Sequence, residues 1–184
     1  MLRFLELILS FFGLVALMPV MLVIFLLGLF DTGSPLFRQE RVGRNQRPFM
    51  LLKFRTMRLD TRSMATHLAN PASVTPMGAF LRRTKLDELP QLWNVLKGEM
   101  SLVGPRPCLF NQTELIAERA ARGVFDARPG ITGLAQVKGI DMSTPKLLAE
   151  TDAEMLKCLN LRAYLVYIFL TLTGSGRGDR IHRD

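Results

Sequence analysis

Between Leu7 and Phe30 the chain carries no charged side chain, and that stretch is long enough to cross the hydrocarbon core of a bilayer as a helix. It exceeds the apolar core of a signal peptide, and Phe30-Asp31-Thr32-Gly33 offers no small-residue cleavage pattern, so the segment is expected to remain in the protein. Pro19 lies in its middle. A proline there removes a backbone donor and clashes with the preceding turn, which predicts a kink after Met18. A kinked helix that turns back brings both ends to one face, with Arg3 on one flank and Arg38, Arg41, Arg44 and Arg47 on the other; a straight helix spans the bilayer. Periodicity does not separate the two.

Beyond the apolar run the pattern shortens. Pro35 to Arg41 and Phe49 to Met57 read as extended pieces joined by the turn-forming Val42-Gly43-Arg44-Asn45-Gln46, a β-hairpin next to the membrane. Residues 61 to 73 are polar and aperiodic and read as a loop, in which His67 carries no role. Thr75-Pro76 has the form of an N-cap with proline in the first helical position. A second helix is expected to start at Asp87, because Leu89, Leu92, Trp93 and Leu96 follow helical spacing and Gly98 closes it. A helix is expected from Asn111 to Arg122, and Gly104-Pro105-Arg106-Pro107 and Arg128-Pro129-Gly130-Ile131-Thr132-Gly133 read as loops walling a site. The apolar stretch from Ala163 to Thr173 is too short to cross a bilayer and suits the interface or a contact with the anchor. Residues 174–184 form a basic, glycine-rich tail that is expected to be mobile.

Composition sharpens this. Forty-eight per cent of the 184 residues are hydrophobic while the formal net charge is +8, which points to a membrane together with an anionic partner. The arginines are interleaved with apolar stretches and no nucleic-acid-binding motif is visible, so phosphate-bearing lipids and nucleotides rank ahead of DNA or RNA. Cys108 and Cys158 form no metal-ligand pattern and read as reduced thiols.

Asp87-Glu88 is the chemistry-bearing pair. Acidic residues at a helix start serve as caps in many proteins. Here Arg82, Arg83 and Lys85 precede the pair, Arg106 follows in a proline-locked loop, and Lys53, Arg55 and Arg128 come from other segments. Cations around two carboxylates suit a phosphate site, where one carboxylate attacks phosphorus and its neighbour holds Mg²⁺ against a diphosphate.

The blocks Phe37-Arg38-Gln39-Glu40-Arg41-Val42-Gly43, Lys53-Phe54-Arg55-Thr56-Met57, Leu81 to Gly98, Met100 to Pro107 and Arg128 to Gln136 resemble the bacterial sugar transferase family, the monotopic phosphoglycosyl transferases. The resemblance implies an α/β fold, mostly α with a small β-hairpin. Residues 1–34 would be a re-entrant membrane helix broken at Pro19, 35–173 a catalytic domain on the cytoplasmic face of the bacterial inner membrane, and 174–184 the tail. It implies that Asp87 attacks a UDP-sugar, expels UMP and passes the sugar phosphate to polyprenyl phosphate, with Glu88 ligating Mg²⁺ (Mn²⁺ also fits). Arg55, Arg82, Arg106, Arg128 and Asp152 would contact substrate, and Lys53 joins them as a cation expected near the carboxylate pair. Where the family often has Tyr three residues after that Asp, this chain has Met155, while Asn160 falls where Asn is usual. The competing reading is a non-catalytic, membrane-anchored basic module that binds anionic lipid.

Overall fold

The computed structural model describes residues 2–61 and 71–173. The polar loop with His67 and the basic tail, apart from the loop's two ends, lie outside the described residues.

The apolar run forms α1 (Leu2–Thr32), helical throughout, with Pro19 inside it. Only Glu6, Ser10, Ile24 and Gly28 of its 31 residues are buried. Met21, Ile24 and Phe25 pack against Phe54, Leu81, Leu86 and Leu89 near its carboxyl end. The opposite face leaves Phe4, Phe11, Phe12, Leu22, Leu26 and Phe30 exposed. An apolar face of that extent is not one a water-surrounded monomer leaves open, and it marks a membrane-associated surface.

Both ends of α1 are tied to the rest of the chain. At the amino end Glu6 accepts hydrogen bonds from the Ser101 hydroxyl, from Tyr164 Oη at 2.8 Å and from Arg3 Nη1 at 2.7 Å. Arg3 also donates to the carbonyls of Val95 and Met100. A carboxylate in an apolar helix is costly unless paired, so this network fixes which side of α1 faces the protein. At the carboxyl end Thr75 Oγ1 donates to Asp31 Oδ2 at 2.7 Å.

The hairpin is β1 (Leu36–Val42) and β2 (Pro48–Phe54), antiparallel with Phe37 opposite Lys53, joined by a 3₁₀ turn at Arg44–Gln46. Helix α2 (Pro76–Thr84) starts as expected, with Thr75 Oγ1 accepting from Gly78 N at 2.9 Å. A 3₁₀ turn at Leu86–Glu88 leads to α3 (Gln91–Leu96). Strands β3 (Ser101–Val103) and β4 (Gly130–Thr132) pair in parallel and flank α4 (Thr113–Ala121). The ladder requires glycine, because a Cβ on Gly130 would collide with the Gly104 backbone. Helices α5 (Leu134–Lys138), α6 (Pro145–Cys158) and α7 (Leu161–Leu172) complete the described residues. Among the described residues the fold is therefore mostly helical with two small sheets, one more than the single hairpin expected.

Two details answer the sequence pattern. The buried side of α3 is Gln91, Asn94 and Val95, not the apolar stripe; Leu92 lies against α1 at Gly13, and Trp93 is 51% exposed. Asn94 earns its interior place by bonding Met50 O and Leu52 N of β2, so the polar residue faces inward and the apolar stripe faces the anchor side. In α7, Tyr164 is buried while Leu165, Val166, Phe169 and Leu172 are exposed, which adds a further exposed apolar face to that of α1. Asn160 caps α7 by accepting from Ala163 N, and Met155, where the family often has Tyr, is buried with its sulfur accepting from Leu134 N.

Candidate active site

Asp87 does not start an α-helix. Pro90 has no N–H to complete a four-residue bond to Leu86 O, so that carbonyl takes Leu89 N instead, and Glu88 N bonds Lys85 O. The pair thus sits in the 3₁₀ turn, and the N-cap position of α3 belongs to Pro90, with no side-chain cap. Lys85, between α2 and this turn, holds the left-handed conformation at φ 58. That conformation is strained for a residue with a Cβ, costing about 1 kcal/mol, and it swings the next residues out of the line of α2. Asp87 consequently points inward and is only 7% exposed.

Burial pushes the Asp87 carboxyl up to about 6, and the neighbouring Glu88 charge adds to the rise; Lys53, Arg82 and Arg106 pull the other way. Each cation is placed by a separate element. Lys53 projects from β2 and lies 5.4 Å from the centre of the Phe37 ring. Arg82, in the last turn of α2, donates from Nε to Thr56 Oγ1 at 2.8 Å. That contact depends on Gly78, where a Cβ would run into the Thr56 backbone and force α2 away. Arg106 donates from Nη2 to Glu88 Oε1 at 3.0 Å. Lys85 shares the field of Glu88 and Arg106, and burial lowers its ammonium pKa. Two carboxylates among Lys53, Arg82, Lys85 and Arg106 leave the surroundings net positive, which draws in a polyanion.

Arg106 is itself held from behind. The Arg119 guanidinium donates from Nη1 to Arg106 O at 2.8 Å and from Nε and Nη2 to Asp152 Oδ2 at 3.0 and 2.6 Å. Both side chains are 2% exposed, so the pair is part of the interior.

The expected residues thus fall into groups. Lys53, Arg82 and Arg106 gather on Asp87 and Glu88. Arg55 stands one step out, sharing the Phe37 ring with Lys53 and bonded to Ser34 O and Leu36 O. Asp152 faces Arg119. Arg128 donates from Nε to Gly98 O at 2.8 Å, and the charges acting on it are Arg3, Arg44 and Glu6. Two contributors were not anticipated. Thr56 carried no charge to signal it, and Arg119 reads in sequence as an ordinary basic residue of an amphipathic helix.

Among the described residues no cluster of three or more His, Cys, Asp or Glu exists to hold a metal. The site has only the carboxylate pair. That donor set fits Mg²⁺ or Mn²⁺, hard ions that bind through one or two carboxylates with substrate phosphate and water supplying the remaining ligands.

A buried Asp87 beside Glu88, ringed by cations and close to an apolar helix, is a site suited to phosphate chemistry. The chain belongs to the bacterial sugar transferase family, whose sequence profile matches residues 1–176. It is 35% identical over 188 residues to the exopolysaccharide production protein ExoY of Sinorhizobium fredii, covering 92% of this chain and 83% of that one. It is 42% identical over 143 residues to a UDP-galactose-lipid carrier transferase of Erwinia amylovora, covering 67% of this chain and 29% of that one. To a UDP-glucose:undecaprenyl-phosphate glucose-1-phosphate transferase of Caulobacter vibrioides it is 49% identical over 114 residues, covering 59% of this chain and 42% of that one. The chain spans 34%, 29% and 53% of the length of three such relatives, so it corresponds to only part of them.

Proposed function

We propose that this protein transfers a sugar 1-phosphate from a UDP-sugar to polyprenyl phosphate, such as undecaprenyl phosphate, and releases UMP. The observation that carries the reading is Asp87, buried beside Glu88 with a carboxyl pushed up to about 6 amid three opposing cations. An Asp carboxylate removed from water is a competent nucleophile once ionised, and the cations orient and neutralise a diphosphate. Its oxygen forms a bond to the β-phosphorus as the bridging bond to the α-phosphate breaks, and UMP leaves with that electron pair. An oxygen of polyprenyl phosphate then attacks the same phosphorus, the aspartyl bond breaks, and the Asp87 carboxylate is restored. Glu88, steered by Arg106, would hold Mg²⁺, which supplies charge neutralisation at the diphosphate. Lys53, Arg82 and Arg106 contact the phosphates in this reading, with Arg55 behind Lys53. The relatives named for lipid-carrier transfer and exopolysaccharide production support placing the reaction at the start of a membrane-linked glycan.

The same reading places residues 1–34 as a re-entrant membrane element and 35–173 as a catalytic domain on the cytoplasmic face of the inner membrane. Support comes from α1, whose two ends bond the same body through Glu6 and Arg3 at one end and Asp31 at the other. A perpendicular span would carry one end across the bilayer, away from those partners.

The test is incubation of the membrane-embedded protein with a panel of UDP-sugars, undecaprenyl phosphate and Mg²⁺, reading UMP. Release with one or a few sugars is expected. No release with any donor would favour the non-catalytic lipid-binding module instead.

A further inference from the structure

We propose that Arg44 and Arg128 form a second anion site, apart from the carboxylate pair, that takes the headgroup of a net-anionic membrane lipid. Each guanidinium is anchored at Nε on a backbone carbonyl. Arg44 Nε donates to Asp126 O at 2.8 Å, and Arg128 Nε donates to Gly98 O at 2.8 Å. Among the described residues neither makes an ion pair, and neither has a hydrogen bond through its Nη atoms. Both therefore present two free Nη groups, the edge that can grip phosphate oxygens.

The two are drawn together by separate segments. Arg44 sits in the hairpin turn and bonds the carbonyl two residues before Arg128. That turn is held rigid: Asn45 and Gln46 take left-handed φ of 54 and 57, and Gly43 N closes it on Arg47 O at 2.8 Å. Burial, then Arg3, then Arg44 press against the charge on Arg128, and Glu6 opposes them only in part. Glu6 is already committed to Arg3, Ser101 and Tyr164. A bound anion would relieve the repulsion.

Location selects the occupant. Arg3 Nη2 would stand 3.6 Å from a Cβ on Gly98, the residue whose carbonyl Arg128 grips. The next residue, Phe4, is 72% exposed and opens the apolar face of α1. The cluster thus lies where the apolar surface begins, the level of lipid headgroups rather than of a soluble phosphate.

The proposal rests on the membrane reading, and flotation with vesicles of two compositions separates them. Binding of the full chain to phosphatidylcholine vesicles reports the membrane reading alone. Preference for vesicles containing phosphatidylglycerol reports this site. At physiological salt Arg44→Gln with Arg128→Gln should lose that preference by about 25-fold, roughly fivefold per arginine near an anionic surface, with phosphatidylcholine binding unchanged. The single variant Arg44→Gln, in an exposed turn, should lose about fivefold and serves if the double variant misfolds. Arg38→Gln with Arg58→Gln removes equal charge elsewhere on the surface. An equal loss in that control would mean diffuse attraction and overturn the site. Abolition of the preference by inorganic phosphate at constant ionic strength would overturn the lipid headgroup as occupant.

Discussion

Asp152 receives two hydrogen bonds from Arg119, at 3.0 and 2.6 Å, in a pair sealed from solvent on both sides. Through a further bond to Arg106 O, Arg119 sets the base of the loop from which Arg106 grips Glu88. Removing one member leaves a buried charge without its partner. Asp152→Leu should therefore cost about 3 to 5 kcal/mol of stability, and the double variant Asp152→Leu with Arg119→Met should regain most of it. Thermal unfolding in detergent measures both. A variant of Asp152 that unfolds like the parent but binds UDP-sugar weakly would instead make Asp152 a substrate contact.

Asp87 predicts opposite trends for activity and stability. Burial, with the Glu88 charge beside it, pushes its folded carboxyl up to about 6 from the ordinary 3.8, so it becomes ionised and able to attack only as pH rises through that region. Single-turnover UMP release should climb between about pH 5 and 7 and then level off. For stability the sign reverses. Above about 6 the buried charge opposes folding, by up to about 3 kcal/mol for a two-unit rise, and the penalty fades as pH falls toward 4. Asp87→Asn should accordingly unfold at higher temperature than the parent at pH 7.5, with the gap narrowing at pH 5. An equal gap at both values would mean that Asp87 is not desolvated in the folded protein.

What the sequence made legible follows from how local each signal is. Thr75-Pro76 announces α2 because a cap needs only the next three residues, and the hairpin announces itself through its turn. Asp87, Glu88, Arg82 and Arg106 were readable because adjacency and a family resemblance placed them together. Arg128 joins them on charge and on the family resemblance, and nothing in the order of residues says that its Nε would be held by Gly98 O. Arg119 and Asp152 meet only when α4 and α6 pack, and neither helix advertises a buried ion pair. Leu89, Leu92 and Trp93 share helical spacing, yet Leu89 and Leu92 lie against α1 while Trp93 is exposed. Helical spacing reveals an apolar side without revealing what will cover it.

Topology has a direct test. Both ends of α1 bond the same body, so cysteines at Leu2 and Ser34, in a background with the exposed Cys158 changed to Ser, should both resist an impermeant thiol reagent in intact cells. Permeabilisation should expose both. Labelling at position 2 alone in intact cells would establish a spanning helix.

The last expectation separates the roles of the two carboxylates. An Asn at position 87 keeps the size of the side chain but is a very poor nucleophile toward phosphorus. Asp87→Asn should reach the membrane, fold, and fail to release UMP even without lipid acceptor. After incubation with a UDP-sugar labelled in the β-phosphate and rapid denaturation, the parent should retain label and this variant should not. Glu88→Gln should behave differently in kind. Its neutral amide weakens metal binding and loses the charge that Arg106 grips at 3.0 Å, yet leaves the attacking oxygen in place. Activity of Glu88→Gln should fall and recover in part with excess Mg²⁺, and full turnover of the parent in EDTA would remove the metal from Glu88. Loss of the nucleophile cannot be compensated by any metal concentration. Label retained on Asp87→Asn would move the covalent bond to another residue, and the two variants responding alike to Mg²⁺ would leave the pair without a division of labour.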